Sequence, residues 1–363
     1  MTLANKQSWY EPLASGDEKT LAKLAAEAGF AEPGKTAANL ALLQELLTDP
    51  AHVTSIASQA LTTADPDQAL NNLERLSGIV DKTDLPIILI DQASAKQLLT
   101  VLGASAFLTG ILCRRKTFFS KLFRNDLINT QKTEAQMCDE LRVLIADDAG
   151  PEELKQGLRI FKAQEILRIG TRDLCCLAEL EEVTMDLSSL AASTLQRAYE
   201  VCSTQLQAEY GAPLIDVNEG EPEQLAEFTI LGMGKFGGCE LNFSSDIDLI
   251  YFYSSDRGQT SGIADPVQGP RNRISLHQYF AKLSELITKA IGQPTEDGFV
   301  FRVDLRLRPE GNSGEMANSL AAGEVYYESW GQSWERSAML KARPVAGSKT
   351  LGEELLKRLE PFI

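Results

Sequence analysis

At 363 residues and a formal charge of −16, the chain is long enough for two structural units and too acidic overall to bind a nucleic-acid backbone through its general surface. Hydrophobic residues at 44% and charged residues at 24%, without any biased tract, exclude a disordered chain. No apolar run reaches the roughly 18 residues of a membrane helix and Met1–Trp9 lacks the order of an export signal, so no membrane contact and a cytoplasmic location are expected.

Residues 17–210 carry helical spacing, as in Leu40, Leu43 and Leu47. Helix breaks fall at Gly29 and Pro33, Asp49-Pro50, Asp65-Pro66 and Gly150-Pro151. Gly29 to Thr36 matches the phosphate-loop pattern GxxxxGK[ST] letter for letter. Helical spacing before Gly29 rules out the strand such a loop requires, so Gly29 reads as a helix C′ residue and Pro33-Gly34 as a turn into the next helix. The segment 158–174 predicts a helix with a basic face of Arg159, Lys162, Arg168 and Arg172, read as structural and as docking the helical half onto the rest. A long helix over 184–210 leads into an acidic linker around Glu219–Gln224. The six cysteines lack CxxC spacing and read as buried reduced thiols, and with His52 and His277 the only histidines, carboxylates must carry any metal.

Past the linker the period changes. Phe228–Met233 and Ile247–Tyr253 predict strands, 257–273 a loop, and 274–291 a helix. Phe299–Leu307 alternates strictly, which predicts a strand presenting Arg302, Asp304, Arg306 and Arg308 on one face. Helices are predicted over 322–342 and from about Thr350 to Ile363. The expected class is α+β, predominantly helical. It comprises a helical region over 1–215, a catalytic domain with a small mixed sheet over 216–345, and the start of a following helix over 346–363 in a chain that continues.

The chemistry concentrates in Ile230–Ile250, whose order is strand, glycine loop, short helix, then Asp-x-Asp opening a strand. Asp246 and Asp248, two apart on a strand, share a face about 7 Å apart at Cα, within reach of one or two divalent cations. Asp304 on a neighbouring strand supplies a third carboxylate for a second cation or for proton transfer. Backbone N–H groups at Gly237-Gly238 suit phosphate oxygens at a helix start. Arg306 and Arg308 offer planar donors for the same purpose, and Lys341 and Arg343 could be sent toward the site.

These residues resemble the glutamine synthetase adenylyltransferase and adenylyl-removing enzyme family, within the polymerase-β-like nucleotidyltransferase superfamily. The resemblance rests on residues 230–253, Gly298–Pro309, Ser313-Gly314, Trp334-Glu335-Arg336 with Lys341-Ala342-Arg343, and Arg168–Leu174. It covers about residues 158–345 and implies a bifunctional protein with two catalytic halves, one attaching AMP to a tyrosine of glutamine synthetase and one removing it. The wording Asn242-Phe243-Ser244-Ser245-Asp246-Ile247-Asp248 looks like the amino-terminal, removing half. Met1, the helical N-terminal region and the unfinished last helix agree with an amino-terminal fragment. The reaction implied by the resemblance is phosphorolysis of tyrosyl-AMP to ADP. Mg²⁺ would sit on Asp246, Asp248 and Asp304, and Ser245 would belong to the nucleotide and phosphate site; the seven residues between Gly238 and Asp246 are fewer than the superfamily's general interval, which makes Gly234-Lys235 the alternative phosphate cradle. The partners it implies are adenylylated glutamine synthetase, phosphate, adenine nucleotide and the PII signalling protein, with no nucleic acid. Two rival readings are ATP-dependent adenylylation by the same site and a regulatory module that binds nucleotide without turnover.

Overall fold

The computed structural model describes residues 6–124, 127–218, 222–264, 266 and 269–363. Glu219, Gly220 and Glu221 of the expected linker, and Asp265, Val267 and Gln268 of the expected loop, lie outside the described residues. Helices take up 62% of the chain, with small mixed sheets and, among the described residues, no closed barrel, which is the predominantly helical α+β class. Contacts divide the chain into residues 1–131 with 163–180, and residues 132–162 with 181–363. This division falls elsewhere than the expected split at 215, because the long helix Leu180–Tyr210 packs with the sheet that comes after it.

The first unit is built of short helices whose starts are written in the sequence. Asp49 and Asp65 cap helices Pro50–Ala60 and Pro66–Ser77, accepting from the Ala51 and Gln68 amides, with proline at the first helical position where no N–H is missed. The phosphate-loop look-alike is what its flanks indicate. Gly29, at φ 103°, closes helix Glu18–Ala28, and Pro33 opens helix Pro33–Leu47. The Asp67 carboxylate accepts from the Ala31 and Glu32 amides at 2.8 and 2.9 Å, filling with a protein anion the place a phosphate would take. Arg168 is buried on Glu165 at 2.7 Å and donates to the Thr130 carbonyl at 3.1 Å, while Arg172 donates to that of Ile128 at 2.6 Å. Among the described residues no single helix is long and apolar enough to cross a membrane.

The second unit centres on a mixed sheet. Its strands are β1 (Pro213–Ile215), β2 (Gln224–Leu225), β3 (Phe228–Gly232), β4 (Ile247–Tyr253), β5 (Gly258–Thr260), β6 (Val303–Asp304), β7 (Ala317–Ser319) and β8 (Arg343–Gly347). β2, β1 and β5 form a small antiparallel sheet, and the larger sheet has the order β6-β4-β3-β8, with β7 also on β4. β4 runs antiparallel to β3 and parallel to β6. Alternation along β3 and β4 feeds two layers. On one face Leu231, Ile250 and Phe252 meet Leu320, Tyr327, Met339, Leu351, Leu355 and Leu359 from the C-terminal helices. On the other, Phe228 stacks with Tyr199 and Phe280 at 5.9 and 5.6 Å, clamping helices Leu180–Tyr210 and Leu276–Gly292 to the sheet. Arg159, buried, donates to the carbonyls of Gly298 and Ala290 at 2.8 and 3.1 Å and holds the chain on its way to β6.

Four expectations are corrected by the structure, and one strand is added to those expected. The strand expected over Phe299–Leu307 is only two residues long, because the chain turns at once: the Arg306 amide donates to Asp304 Oδ1, and the Arg308 and Gly311 amides donate to the Leu305 and Arg308 carbonyls. The helix expected over 322–342 is two helices, Leu320–Ser329 and Ser333–Met339, broken at Gly331, where a Cβ would lie 2.6 Å from the Tyr327 carbonyl oxygen. Strand β8 is an element beyond those expected, and the last helix closes at Leu359, short of Ile363. Of the six free cysteines only Cys202 is buried, four are half-buried and Cys176 is exposed.

Candidate functional site

The Asp-x-Asp pair opens β4, with Asp246 one residue before the strand and Asp248 on it. The apolar run Leu249–Tyr253 is wholly buried, so the strand is fixed from behind while its first residues emerge at the sheet edge. Parallel pairing of β4 with β6 sets Ile247 level with Val303 and Asp248 level with Asp304. Three carboxylates therefore meet at one end of two neighbouring strands. Burial first, then the charges of Asp304 and Asp246, raise the Asp248 carboxyl above its ordinary value, partly offset by Arg306.

Two arginines answer the other two acids. Arg306 Nε lies 3.0 and 2.8 Å from the two oxygens of Asp304, and this pairing lowers the Asp304 carboxyl. Arg302 binds Asp246 through Nε and the Ser244 carbonyl through Nη2 at 3.0 Å. The period-two pattern places Arg302 on the face of Asp304 but assigns it no role. Its only signal in the sequence is a basic residue two positions before the third acid, which alone does not say whether it faces phosphate or carboxylate. Among the described residues no three Asp, Glu, His or Cys side chains converge as a finished metal cage, and these arginines hold two of the three acids.

The glycine segment folds into a four-residue helix, Gly234–Gly237. The amides of Gly237 and Gly238 are used within this turn, donating to the Met233 and Gly234 carbonyls. Gly237 is required by close packing, because a Cβ there would lie 1.9 Å from the Lys341 carbonyl oxygen and 2.5 Å from that of Gly232. Gly234 sits at φ 53° against the acids, and a Cβ would stand 2.9 Å from Asp248 Oδ2. Of the two expected phosphate cradles, Gly234-Lys235 therefore adjoins the carboxylates, and its first-turn amides are those a helix leaves unpaired. Ser245 lies in the loop that Arg302 ties down, its hydroxyl accepting from the Asn242 amide at 3.1 Å.

The remaining basic candidates are engaged elsewhere. Arg308 donates to the carbonyls of Leu305, Asn312 and Gly314 at 3.0, 3.3 and 3.3 Å, closing the loop after β6. Lys341 pairs with Glu240 at 2.6 Å. Arg343, on β8, donates to the Gly237 carbonyl at 3.3 Å with its guanidinium over the Phe236 ring, bracing the glycine turn from behind.

The family model for glutamate-ammonia ligase adenylyltransferase matches residues 95–358. A bifunctional glutamine synthetase adenylyltransferase/adenylyl-removing enzyme of Shewanella woodyi is 36% identical over 76% of this chain and 27% of its own length. Proteins of the same name from Pseudomonas aeruginosa and Psychromonas ingrahamii are 38% and 35% identical over 72% and 82% of this chain. The chain spans about a quarter of the length of these relatives. With the match running from within helix Gln92–Ala104 through the segment that carries the three aspartates, the chain belongs to the glutamate-ammonia ligase adenylyltransferase family.

Proposed function

We propose that this chain removes AMP from an adenylylated tyrosine of glutamine synthetase by phosphorolysis, releasing ADP. The observation that carries this reading is the level pairing of Asp248 with Asp304, with Asp246 at the same sheet edge. The site's donors are carboxylate oxygens, which suit Mg²⁺. Burial first, and then the charges of Asp304 and Asp246, raise the Asp248 carboxyl; a cation would offset both, and the absence of a Cβ at Gly234 leaves room beside Asp248 Oδ2. The residues thus fit the metal: Asp246, Asp248 and Asp304 would hold it, and it would supply charge neutralisation at the transferring phosphoryl group.

The chain's own groups account for the rest. An oxygen of inorganic phosphate attacks the α-phosphorus of tyrosyl-AMP, the bond from phosphorus to the tyrosine oxygen breaks, and the phenolate leaves and takes up a proton. A phenol with a pKa near 10 needs no strong acid to depart. Arg306, exposed and at the metal-binding edge, holds the attacking phosphate, while the first-turn amides of Gly234-Lys235 receive oxygens of the AMP phosphate. The Asn-Phe-Ser-Ser wording before Asp246 favours removal over attachment.

Incubating the chain with adenylylated glutamine synthetase and phosphate, and separately with ATP and unmodified glutamine synthetase, tests the direction. ADP release in the first arm is expected. AMP attachment in the second arm without ADP release in the first overturns the reading.

A further inference from the structure

Two exposed guanidiniums already occupy acids that the proposed chemistry assigns to a cation. Arg302 reaches Asp246 and, at 3.0 Å, the Ser244 carbonyl, and its side chain is 61% exposed. Arg306 covers both oxygens of Asp304, and its side chain is 74% exposed while that of Asp304 is 15% exposed. Both guanidiniums thus approach from solvent and can leave without opening the core. Their backbones stay put regardless, since the Arg302 carbonyl accepts from the Ile247 amide at 2.9 Å and the Arg306 amide donates to Asp304 at 2.9 Å. Among the described residues no guanidinium covers Asp248 in the same way: the charges around it are Asp304, Asp246 and, attractively, Arg306.

We propose that Arg302 and Arg306 are resident counter-ions that a divalent cation must displace, so that loading the site is an exchange of guanidinium for metal. This rests on the cation reading given above. A carboxylate cannot offer the same lone pairs to a guanidinium and to a metal at full strength, so each arginine weakens cation binding while it stays. Once displaced, the two guanidiniums stand beside the cation, free to take phosphate oxygens. Cation and phosphate-bearing ligand then tighten each other's binding, because the ligand captures the groups that otherwise return to the acids.

The test is a titration of the full chain with Mn²⁺, following free Mn²⁺ by electron paramagnetic resonance without any turnover. Arg302→Ala and Arg306→Ala should each bind Mn²⁺ roughly 5- to 30-fold more tightly than the parent, the order expected for removing a competing charge-assisted contact. Arg302→Lys should also bind more tightly, since an ammonium keeps the charge but cannot span Asp246 and the Ser244 carbonyl as a planar fork does. Parent-like affinity in both Ala variants overturns the exchange. So does a parent-like Arg302→Lys beside a tighter Arg302→Ala, which would mark a mere effect of net charge. If neither the parent nor the double Ala variant binds Mn²⁺, or if Asp248→Asn leaves binding unchanged, the cation reading itself fails and the exchange with it.

Discussion

Asp248 and Asp304 stand level across the parallel pairing of β4 and β6, although helix Leu276–Gly292 and the chain around it lie between them in sequence. In the metal-free protein Arg306 covers Asp304, whereas Asp248 is held half-buried beside two like charges without a guanidinium of its own among the described residues. Asp248→Asn should therefore abolish turnover yet raise the melting temperature of the metal-free protein by ~1 to 3 °C. Saturating Mg²⁺ should cancel that gain by stabilising the parent alone. Scanning calorimetry with and without Mg²⁺ reads both effects, and a lower melting temperature for the variant in metal-free buffer would contradict the account.

The two arginines after β6 should separate cleanly. Arg306 is exposed on Asp304, whereas Arg308 is tied to three carbonyls of its own loop. Arg306→Ala should raise the phosphate requirement of AMP removal and slow it roughly 10- to 1000-fold, in line with loss of one charge-assisted clamp. Arg308→Ala should lower thermal stability and affect phosphate KM less. Steady-state kinetics at varied phosphate, beside unfolding curves, decides; a larger rise in phosphate KM for Arg308→Ala would reverse the assignment.

Adjacent glycines should respond very differently. At Gly237 a new Cβ meets two backbone carbonyls, so Gly237→Ala should cost ~3 kcal/mol or more in urea unfolding. At Gly238 the nearest atoms, at 3.3 Å, are ends of the Glu240 and Lys341 side chains, which can swing away, and Gly238→Ala should cost under ~1 kcal/mol. Equal losses at both positions would mean that the Gly237 contact relaxes.

Thiol chemistry offers a pH test of the packing. Burial pushes the Cys202 thiol up to about 12 and those of Cys138 and Cys175 up to about 11. Raised values keep these groups as neutral thiols well above neutrality; at pH 9 a thiol titrating near 11 is only ~1% thiolate, the reactive form. An aromatic disulfide reagent should label exposed Cys176 first, and a rise from pH 7.5 to 9 should not bring Cys202 into reaction. Rapid labelling of Cys202 in the native protein, mapped by peptide mass spectrometry, would show that helix Leu180–Tyr210 opens far more readily than its packing allows.

Much of the second unit is legible in the sequence alone. The end of β4 comes from the apolar and aromatic run Leu249–Tyr253, and helix Leu276–Gly292 announces itself through Ser275 and Gln278, which form a reciprocal cap. Alternation misleads at Phe299–Leu307, because period two records side-chain polarity and not whether the backbone keeps its hydrogen bonds; Arg306, Pro309 and Gly311 turn the chain instead. β8 hides because its Arg343-Pro344 start is no strand former, a cost an edge strand tolerates. The meeting of the three aspartates is legible as chemistry. The pairing of Arg302 with Asp246 is not, since it depends on a loop, Asn242–Ser245, whose path no periodicity encodes.

The pairing between β4 and β6 is non-local, joining neighbours 56 residues apart across the intervening helix Leu276–Gly292. A chain emerging from synthesis carries Asp246 and Asp248 early, yet has no third acid opposite them until that closure is made. Completion of the proposed site is thus tied to completion of the fold: a half-folded intermediate presents two acids with little hold on a cation, and the third joins them only when the architecture is finished.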